Sequence, residues 1–368
     1  MKLKMTNKPS SLYIHIPFCD HICTYCDFTK LFYFEKYEKE YLDSLIKEIE
    51  SYHINKVNTL YFGGGTPTAL SDAGFERILT FAKQYLSDDY EFTVEANVEN
   101  LTEAKLLIMK KCGVNRLSIG VQSTDDKLLK EIGRNHTFKD ARDVISLAKG
   151  LGFTNINIDL IYGFKHQSIR QLKKDLANFL ALDIDHISIY SLIVEPGSIL
   201  YTKGVKEQKE NSSRKFYELI LKTLRKNGYE RYEISNFARN KKYSRHNMTY
   251  WKNQEYYGCG LGASGFVNGI RYTNTKSLRE YNNFNFVKEK SRVSPYENLE
   301  YFLITNFRME QGFARSEFKQ KFGKDFEEMF GDKIRRFFLN NLIDITPDRI
   351  KLTDEGMLLM DFVILKLL

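Results

Sequence analysis

The sequence predicts an α/β protein: a parallel sheet covered by helices, followed by a helical C-terminal unit. Three observations predict it. Short β-branched runs alternate with amphipathic stretches over the first two-thirds of the chain. Polar residues cluster just after the apolar runs, where parallel α/β folds place their sites. From about Val287 the pattern changes to helices with one short hairpin. About six β/α units suggest an open or partial barrel. A doubly wound sheet is the alternative, and the alternation alone does not separate the two.

The expected strands are Leu12–Ile16, Val57–Phe62, Glu91–Glu95, Arg116–Gly120, Asn155–Ile161 and His186–Tyr190. Between them, helical periodicity covers Glu35–Tyr52, Asp72–Tyr85, Glu103–Lys111, Lys139–Lys149 and Ile169–Leu182. Asn211–Asn227 reads as one more amphipathic helix, with Gly228 suited to its C-terminal cap. Beyond it, Asn298–Met309, Arg315–Phe322 and Phe326–Asn340 read as helices and Leu342–Leu352 as a small hairpin. Thr353 then caps a last helix, with Asp354 and Glu355 in its first turn. Helices followed by a hairpin suggest a winged-helix-like module. Asp332, Asp344, Asp348 and Asp354 leave it no clear basic recognition face, so a lid or docking domain is expected instead of a DNA-binding one.

Composition bounds the class. The chain has 368 residues, 42% hydrophobic and 28% charged, ordinary for a soluble globular protein. Five cysteines without an even framework fit a reducing compartment, and cytoplasmic placement is expected. Met1–Ser10 is polar and basic, so no secretory signal is expected. The apolar tail Met357–Leu368 is interrupted by Asp361 and Lys366, which favours a buried helix over a membrane anchor. Net charge is +8, but the lysines are dispersed and no nucleic-acid module is present. A solvated surface is the expected reading, with peripheral contact to an anionic membrane as the alternative.

The most informative stretch is Cys19-Asp20-His21-Ile22-Cys23-Thr24-Tyr25-Cys26-Asp27-Phe28. Three thiolates this close can hold three corners of a cubane cluster, leaving one iron for an outside ligand. Two alternatives stay open: zinc with His15 or His21 as a fourth ligand, and structural thiols. Further polar residues follow successive strands: Gly63-Gly64-Gly65-Thr66-Pro67 after the second, Glu95 and Asn97 ending the third, Gln122 after the fourth, Asp159 near the end of the fifth. Packing does not explain five strand ends converging on one rim. Glycines let the backbone approach a ligand closely, and Pro67 stiffens the loop. Singly, Glu95 or Arg134 is more often a surface ion-pair member.

The cysteine spacing, with Tyr25 before the last cysteine, resembles the radical S-adenosylmethionine (SAM) superfamily. The string Tyr13-Ile14-His15-Ile16-Pro17-Phe18-Cys19 is similar to the branch holding oxygen-independent coproporphyrinogen dehydrogenases and the HemW haem chaperones. The resemblance spans essentially the whole chain. It implies a partial (β/α)6 radical-SAM barrel with a C-terminal helical, winged-helix-like domain. It further implies a [4Fe–4S] cluster on Cys19, Cys23 and Cys26, with SAM as the outside ligand. Gly64, Gly65 and Thr66 then line the amino-acid moiety of SAM. Glu95 and Asp159 accept hydrogen bonds from its ammonium and ribose hydroxyls. Arg134 and Gln122 shape the methionyl pocket, and Tyr13 and Tyr25 pack beside cluster and SAM.

A second string, His246-Asn247-Met248-Thr249-Tyr250-Trp251, holds the only tryptophan. On composition it reads as a core histidine among packed aromatics. Its pattern, however, matches a motif of the haem chaperones, which implies a haem cleft lined by His246, Asn247, Tyr250 and Trp251, with His246 a candidate axial ligand. Two departures stand beside it: Phe164-Lys165-His166-Gln167 replaces the usual Leu-Pro-Gly-Gln turn, and Ser264 stands where many relatives have His. The expected division is a radical SAM core domain at 1–235, a connecting segment with the His-Asn motif at 236–286, and a helical domain at 287–368.

Phe28 discriminates between the two functions. The dehydrogenase pattern carries a further cysteine there, so the expectation is a chaperone that binds haem and delivers it to acceptor haem proteins, as monomer or dimer. Oxidative decarboxylation of coproporphyrinogen III is the alternative, and a zinc-stabilised binding protein is the third reading.

Overall fold

In the computed structural model, residues 8–208 and 210–368 are described. Six parallel strands form the centre: β1 Ser11–Ile16, β2 Val57–Gly64, β3 Leu86–Asn97, β4 Arg116–Gln122, β5 Ile156–Tyr162 and β6 His186–Ser191. They lie side by side in chain order. A doubly wound sheet reverses its order at a switch point; this sheet does not, which settles the architecture as a partial barrel. Helices α1 Glu35–Ser51, α2 Asp72–Lys83, α3 Glu103–Cys112, α4 Asp126–Glu131, α5 Phe138–Gly150 and α6 Ile169–Ala181 connect the strands. Their starts follow local chemistry: Thr137 with Asp140, and Ser168 with Gln171, form reciprocal capping boxes.

The strands alternate cleanly. Leu12, Ile14, Leu60, Phe62, Phe92, Val94, Leu117, Ile119, Ile158 and Ile187 join the core beneath the helices. The intervening positions, facing the barrel lumen, are mostly polar: Thr59 and Tyr61, Glu91, Thr93 and Glu95, Arg116 and Ser118, Asn157 and Asp159, His186 and Ser188. Fully covered parallel strands usually read as continuous apolar runs. The polar rows here fill the inside of the barrel instead.

The sheet extends at both edges. Tyr257–Cys259 pairs parallel to β1, and Asn236–Ala238 pairs antiparallel to β6 and in turn to Glu230–Glu233. The segment 236–286 thus supplies two strands to the barrel's own sheet. Cys259 sits in the first of them, fully buried. A small antiparallel sheet follows, made of Ser264–Val267, Ile270–Asn274 and Val287–Arg292.

The C-terminal unit has its own aromatic core around Phe302, Phe313, Phe318 and Phe326. Its order is helix Pro295–Asn306, strand Phe313–Ala314, helices Arg315–Phe322 and Phe326–Leu339, then strands Ile343–Ile345 and Arg349–Leu352. The last strand lies between the other two, a winged-helix arrangement. Thr353 caps the following helix as expected, but that helix breaks at Leu359 into Asp354–Leu358 and Met360–Leu367. Ion pairs dock this unit on the barrel: buried Arg231 reaches Glu310 and Asp354, and Arg214 reaches Glu355. Among the described residues no helix is long and apolar enough to cross a membrane.

Candidate functional site

The loop after β1 is pinned from several sides. Phe18–Cys19 pairs with Leu31–Phe32 and closes it. Thr24 bonds the backbone of Ile132 and of Leu200. Lys30 Nζ donates to the Cys26 carbonyl at 2.6 Å. His15 Nε2 contacts the Thr29 carbonyl at 2.7 Å, and its Nδ1 the Tyr13 hydroxyl at 3.0 Å. Both His15 nitrogens are therefore engaged, which takes it out of the zinc reading.

Cys19, Cys23 and Cys26 are free and open on a cavity of about 380 Å³ at the C-terminal mouth of the barrel. Gly64, Gly65, Thr66, Glu95, Gln122, Arg134, Asp159 and Tyr25 line the same cavity. Burial pushes the Cys19 thiol up to about 11. Two donors already face sulfur: Thr66 Oγ1 lies 3.5 Å from Cys19 Sγ, and Arg134 Nη1 lies 3.4 Å from Cys23 Sγ. The glycine loop is a cradle side chains would fill. A Cβ on Gly64, whose φ is +113°, would meet the His15 ring at 2.5 Å, and one on Gly65 the Pro17 carbonyl at 2.6 Å. Thiols, inward donors and a close backbone fit an iron–sulfur cluster with a ligand beside it.

The carboxylates stand on the lumen side. Glu95 accepts from the Tyr61 hydroxyl at 2.6 Å and from Gly64 N–H at 3.2 Å. Burial, with neighbouring Asp159 adding to it, pushes its carboxyl up to about 7 although Tyr61 pulls the other way. Asp159 accepts from Asn157 Nδ2 at 2.8 Å, and burial raises it too. Gln122 reaches the cavity because β4 bulges after Gly120 and Gln122 adopts φ +70°, a left-handed conformation costing about 1–3 kcal/mol.

Arg134 is buried and less free than a bare guanidinium fork. Beyond Cys23, Nη1 donates to Asn97 Oδ1 at 2.8 Å, and Nη2 donates to the Gly120 carbonyl. Burial alone would weaken its charge. Tyr25, Cys23 and Glu99 outweigh burial and raise its pKa. Arg134 thus ties the cysteine loop to β3 and β4. Asn97, which also donates to Thr66 Oγ1 at 2.9 Å, is the partner that sequence reasoning placed at a strand end without a role. Tyr61 was missed altogether, though it lies two residues before Gly63 on the same face of β2. The altered turn after β5 is closed by Gln167, whose Oε1 accepts from Gly163 N–H at 2.8 Å.

Two of the predicted groups lie away from this cavity. Tyr13 does not line the cavity; it lies below, bonded to His15. The His246–Trp251 string is not at this mouth at all. It forms helix Arg245–Trp251 at the opposite end of the barrel. His246 is 1% exposed, with Nδ1 on Thr59 Oγ1 at 2.8 Å and Nε2 on the Tyr250 hydroxyl at 2.7 Å. Burial, then Arg116, lowers its pKa to about 3. A ring with both nitrogens bonded offers no free lone pair to haem iron, so as seated it is the core histidine of the plainer reading. Ser264 faces solvent in the small sheet.

Residues 13–178 match the Radical SAM superfamily, and residues 293–359 match the HemN C-terminal domain. Haem chaperone HemW of Lactococcus lactis is 39% identical over 96% of this chain and 95% of its own. HemW of Bacillus subtilis is 36% identical over 95% and 96%. HemW of Escherichia coli is 32% identical over 84% and 85%. In fold, the chain superposes on coproporphyrinogen III oxidase (HemN) from Escherichia coli with a TM-score of 0.85, covering 98% of this chain and 90% of that one at 22% identity. The superfamily implies SAM and a [4Fe–4S] cluster, and the chain belongs to the HemW family of radical SAM proteins.

Proposed function

We propose that this protein is a haem chaperone: it binds haem and hands it to acceptor haem proteins in the cytoplasm, and it carries a SAM-liganded [4Fe–4S] cluster. The carrying observation is end-to-end similarity to HemW chaperones, 39% identity over 96% of the chain. Phe28 supports it, standing 65% exposed on the cavity rim where the dehydrogenase pattern has a cysteine. In this reading Cys19, Cys23 and Cys26 hold the cluster. Gly64, Gly65 and Thr66 receive the amino-acid end of SAM, Glu95 and Asp159 its ammonium and ribose hydroxyls. Gln122 and Arg134 shape the wall, with Tyr25 beside them. The bound cofactor supplies one-electron chemistry; the chain's own residues hold and orient it.

The fold shared with HemN, at a TM-score of 0.85, keeps the dehydrogenase as a second reading. Two assays on one anaerobically reconstituted sample separate them. The chaperone predicts stoichiometric haem binding without decarboxylation of coproporphyrinogen III. SAM-dependent decarboxylation at turnover rates would sink it and make Phe28 a tolerated variation.

A further inference from the structure

We propose that helix Arg245–Trp251, the segment carrying the His-Asn-x-x-Tyr-Trp string, is the floor of the barrel and positions the two carboxylates of the SAM site, with His246 and His186 as its positioning residues. The inference rests on the reading of Glu95 and Asp159 as SAM partners.

The floor is built from the first lumen row of three adjacent strands. Ser11, Thr59 and Glu91 are in register across β1, β2 and β3. Each bonds the helix. Ser11 Oγ meets Thr249 Oγ1 at 2.8 Å, and Thr59 Oγ1 meets His246 Nδ1 at 2.8 Å. Glu91 accepts from Arg245 N–H at 2.9 Å and from His246 N–H at 3.0 Å, a carboxylate cap on the helix start.

Two columns rise from this floor to the cavity. In the first, the His246 ring stacks on Tyr61 with centroids 4.9 Å apart and planes 27° apart, and the Tyr61 hydroxyl donates to Glu95 at 2.6 Å. In the second, Ser244 N–H, at the helix cap, donates to the Tyr232 hydroxyl at 3.2 Å. That hydroxyl meets His186 Nε2 at 2.8 Å, and His186 Nδ1 meets Asn157 Oδ1 at 2.6 Å. Asn157 Nδ2 then donates to Asp159 at 2.8 Å. His186 and His246 are both essentially unexposed. Burial, then Arg116, lowers the pKa of each, so both rings are neutral. A neutral imidazole bonded at both nitrogens can transmit orientation without adding charge. Each carboxylate thereby has its lower face fixed, leaving lone pairs free toward the cavity.

The test is SAM affinity, by calorimetry on the anaerobically reconstituted full chain, with the SAM-induced change in the reduced cluster's EPR spectrum and haem stoichiometry measured alongside. His246→Ala and Tyr61→Phe should each weaken SAM about 3- to 10-fold, and the double variant should be no weaker than the worse single one, as coupled neighbours behave. Both should alter the EPR response, and His246→Ala should keep its haem stoichiometry. Thr59→Val, nearly isosteric, carries the test if His246→Ala does not fold: it should weaken SAM, and Thr59→Ser should restore it. Unchanged SAM affinity and spectrum in His246→Ala or Thr59→Val overturns the proposal, as do additive effects of His246→Ala and Tyr61→Phe. Loss of haem with SAM binding intact would return the string to haem. Glu95→Gln and Asp159→Asn are the controls: if neither weakens SAM, the site reading fails on its own, whatever the floor variants do.

Discussion

The two mouths of the barrel draw on the same lumen-facing strand positions and use them differently. At the C-terminal mouth, Glu95, Asp159, Gln122 and three thiols face a cavity of about 380 Å³ with bonding capacity to spare. At the N-terminal mouth, Glu91, His186 and His246 are equally polar and deeply buried, but their bonds go to the protein itself. A polar residue in a lumen is therefore not yet a site. What makes one is capacity left unused beside space for a ligand. The histidine string is specific as a pattern, yet its side chains are occupied; the cysteine loop is specific and open.

Four experiments sharpen or break this contrast. The largest effect belongs to the open mouth. Serine at Cys19, Cys23 and Cys26 together should abolish the cluster, leaving almost no iron or sulfide after anaerobic reconstitution; full retention of both would end the assignment. Next, Asp159→Ala should weaken SAM roughly 10- to 150-fold by calorimetry, since losing a hydrogen bond to a charged group costs about 1.5–3 kcal/mol. Unchanged affinity would remove Asp159 from the site.

A third effect is pH-dependent. With Glu95 pushed up to about 7, its carboxyl is protonated in the unliganded protein on the acid side of that value. The proposed contact with the SAM amine needs the carboxylate, so binding releases a proton there. SAM affinity should fall by up to about tenfold per pH unit below about 7 and level off above it, with the slope flattened in Glu95→Gln. For stability the sign runs the other way. A carboxyl raised on folding contributes fully below its unfolded value and loses that contribution as pH rises through about 7. The unliganded Glu95→Gln protein should therefore melt higher than its parent above pH 7.

The smallest effect belongs to the two cysteines away from the site. Cys112 and Cys259 are both buried, Cys112 near Thr80 and Cys259 in the strand beside β1. Cys259→Ala should cost about 1 kcal/mol of stability, as small core deletions do, with iron and sulfide content unchanged.

Most of this architecture was legible in the chain. All six barrel strands and every connecting helix but the short α4 announce themselves by period, because each strand buries one face under helices. The open site was legible because its residues follow consecutive strand ends. The floor was not. Its defining contacts join Ser11 to Thr249 and Glu91 to His246, separations of 238 and 155 residues. No local period encodes such a meeting. One signal was present and went unread: alternating strands such as Arg116-Leu117-Ser118-Ile119 imply a polar inner face, which a doubly wound sheet with both faces covered would not tolerate. The break at Leu359 was invisible for the opposite reason, since Met357, Leu358, Leu359 and Met360 are all good helix formers.

The strand leading into the cysteine loop has one neighbour close in sequence, β2, and another, Tyr257–Cys259, that arrives far later. The late segment also locks the loop's base: Leu261 N–H donates to the Tyr41 hydroxyl, which donates to the His15 carbonyl, and Gly260 N–H donates to Glu48. During synthesis, β1 remains a bare sheet edge until Tyr257–Cys259 has left the ribosome. Edges of that kind invite mispairing, and long-range closure is slow. The cysteines are made well before their scaffold is finished, so metal loading of a nascent chain would meet an unfinished socket.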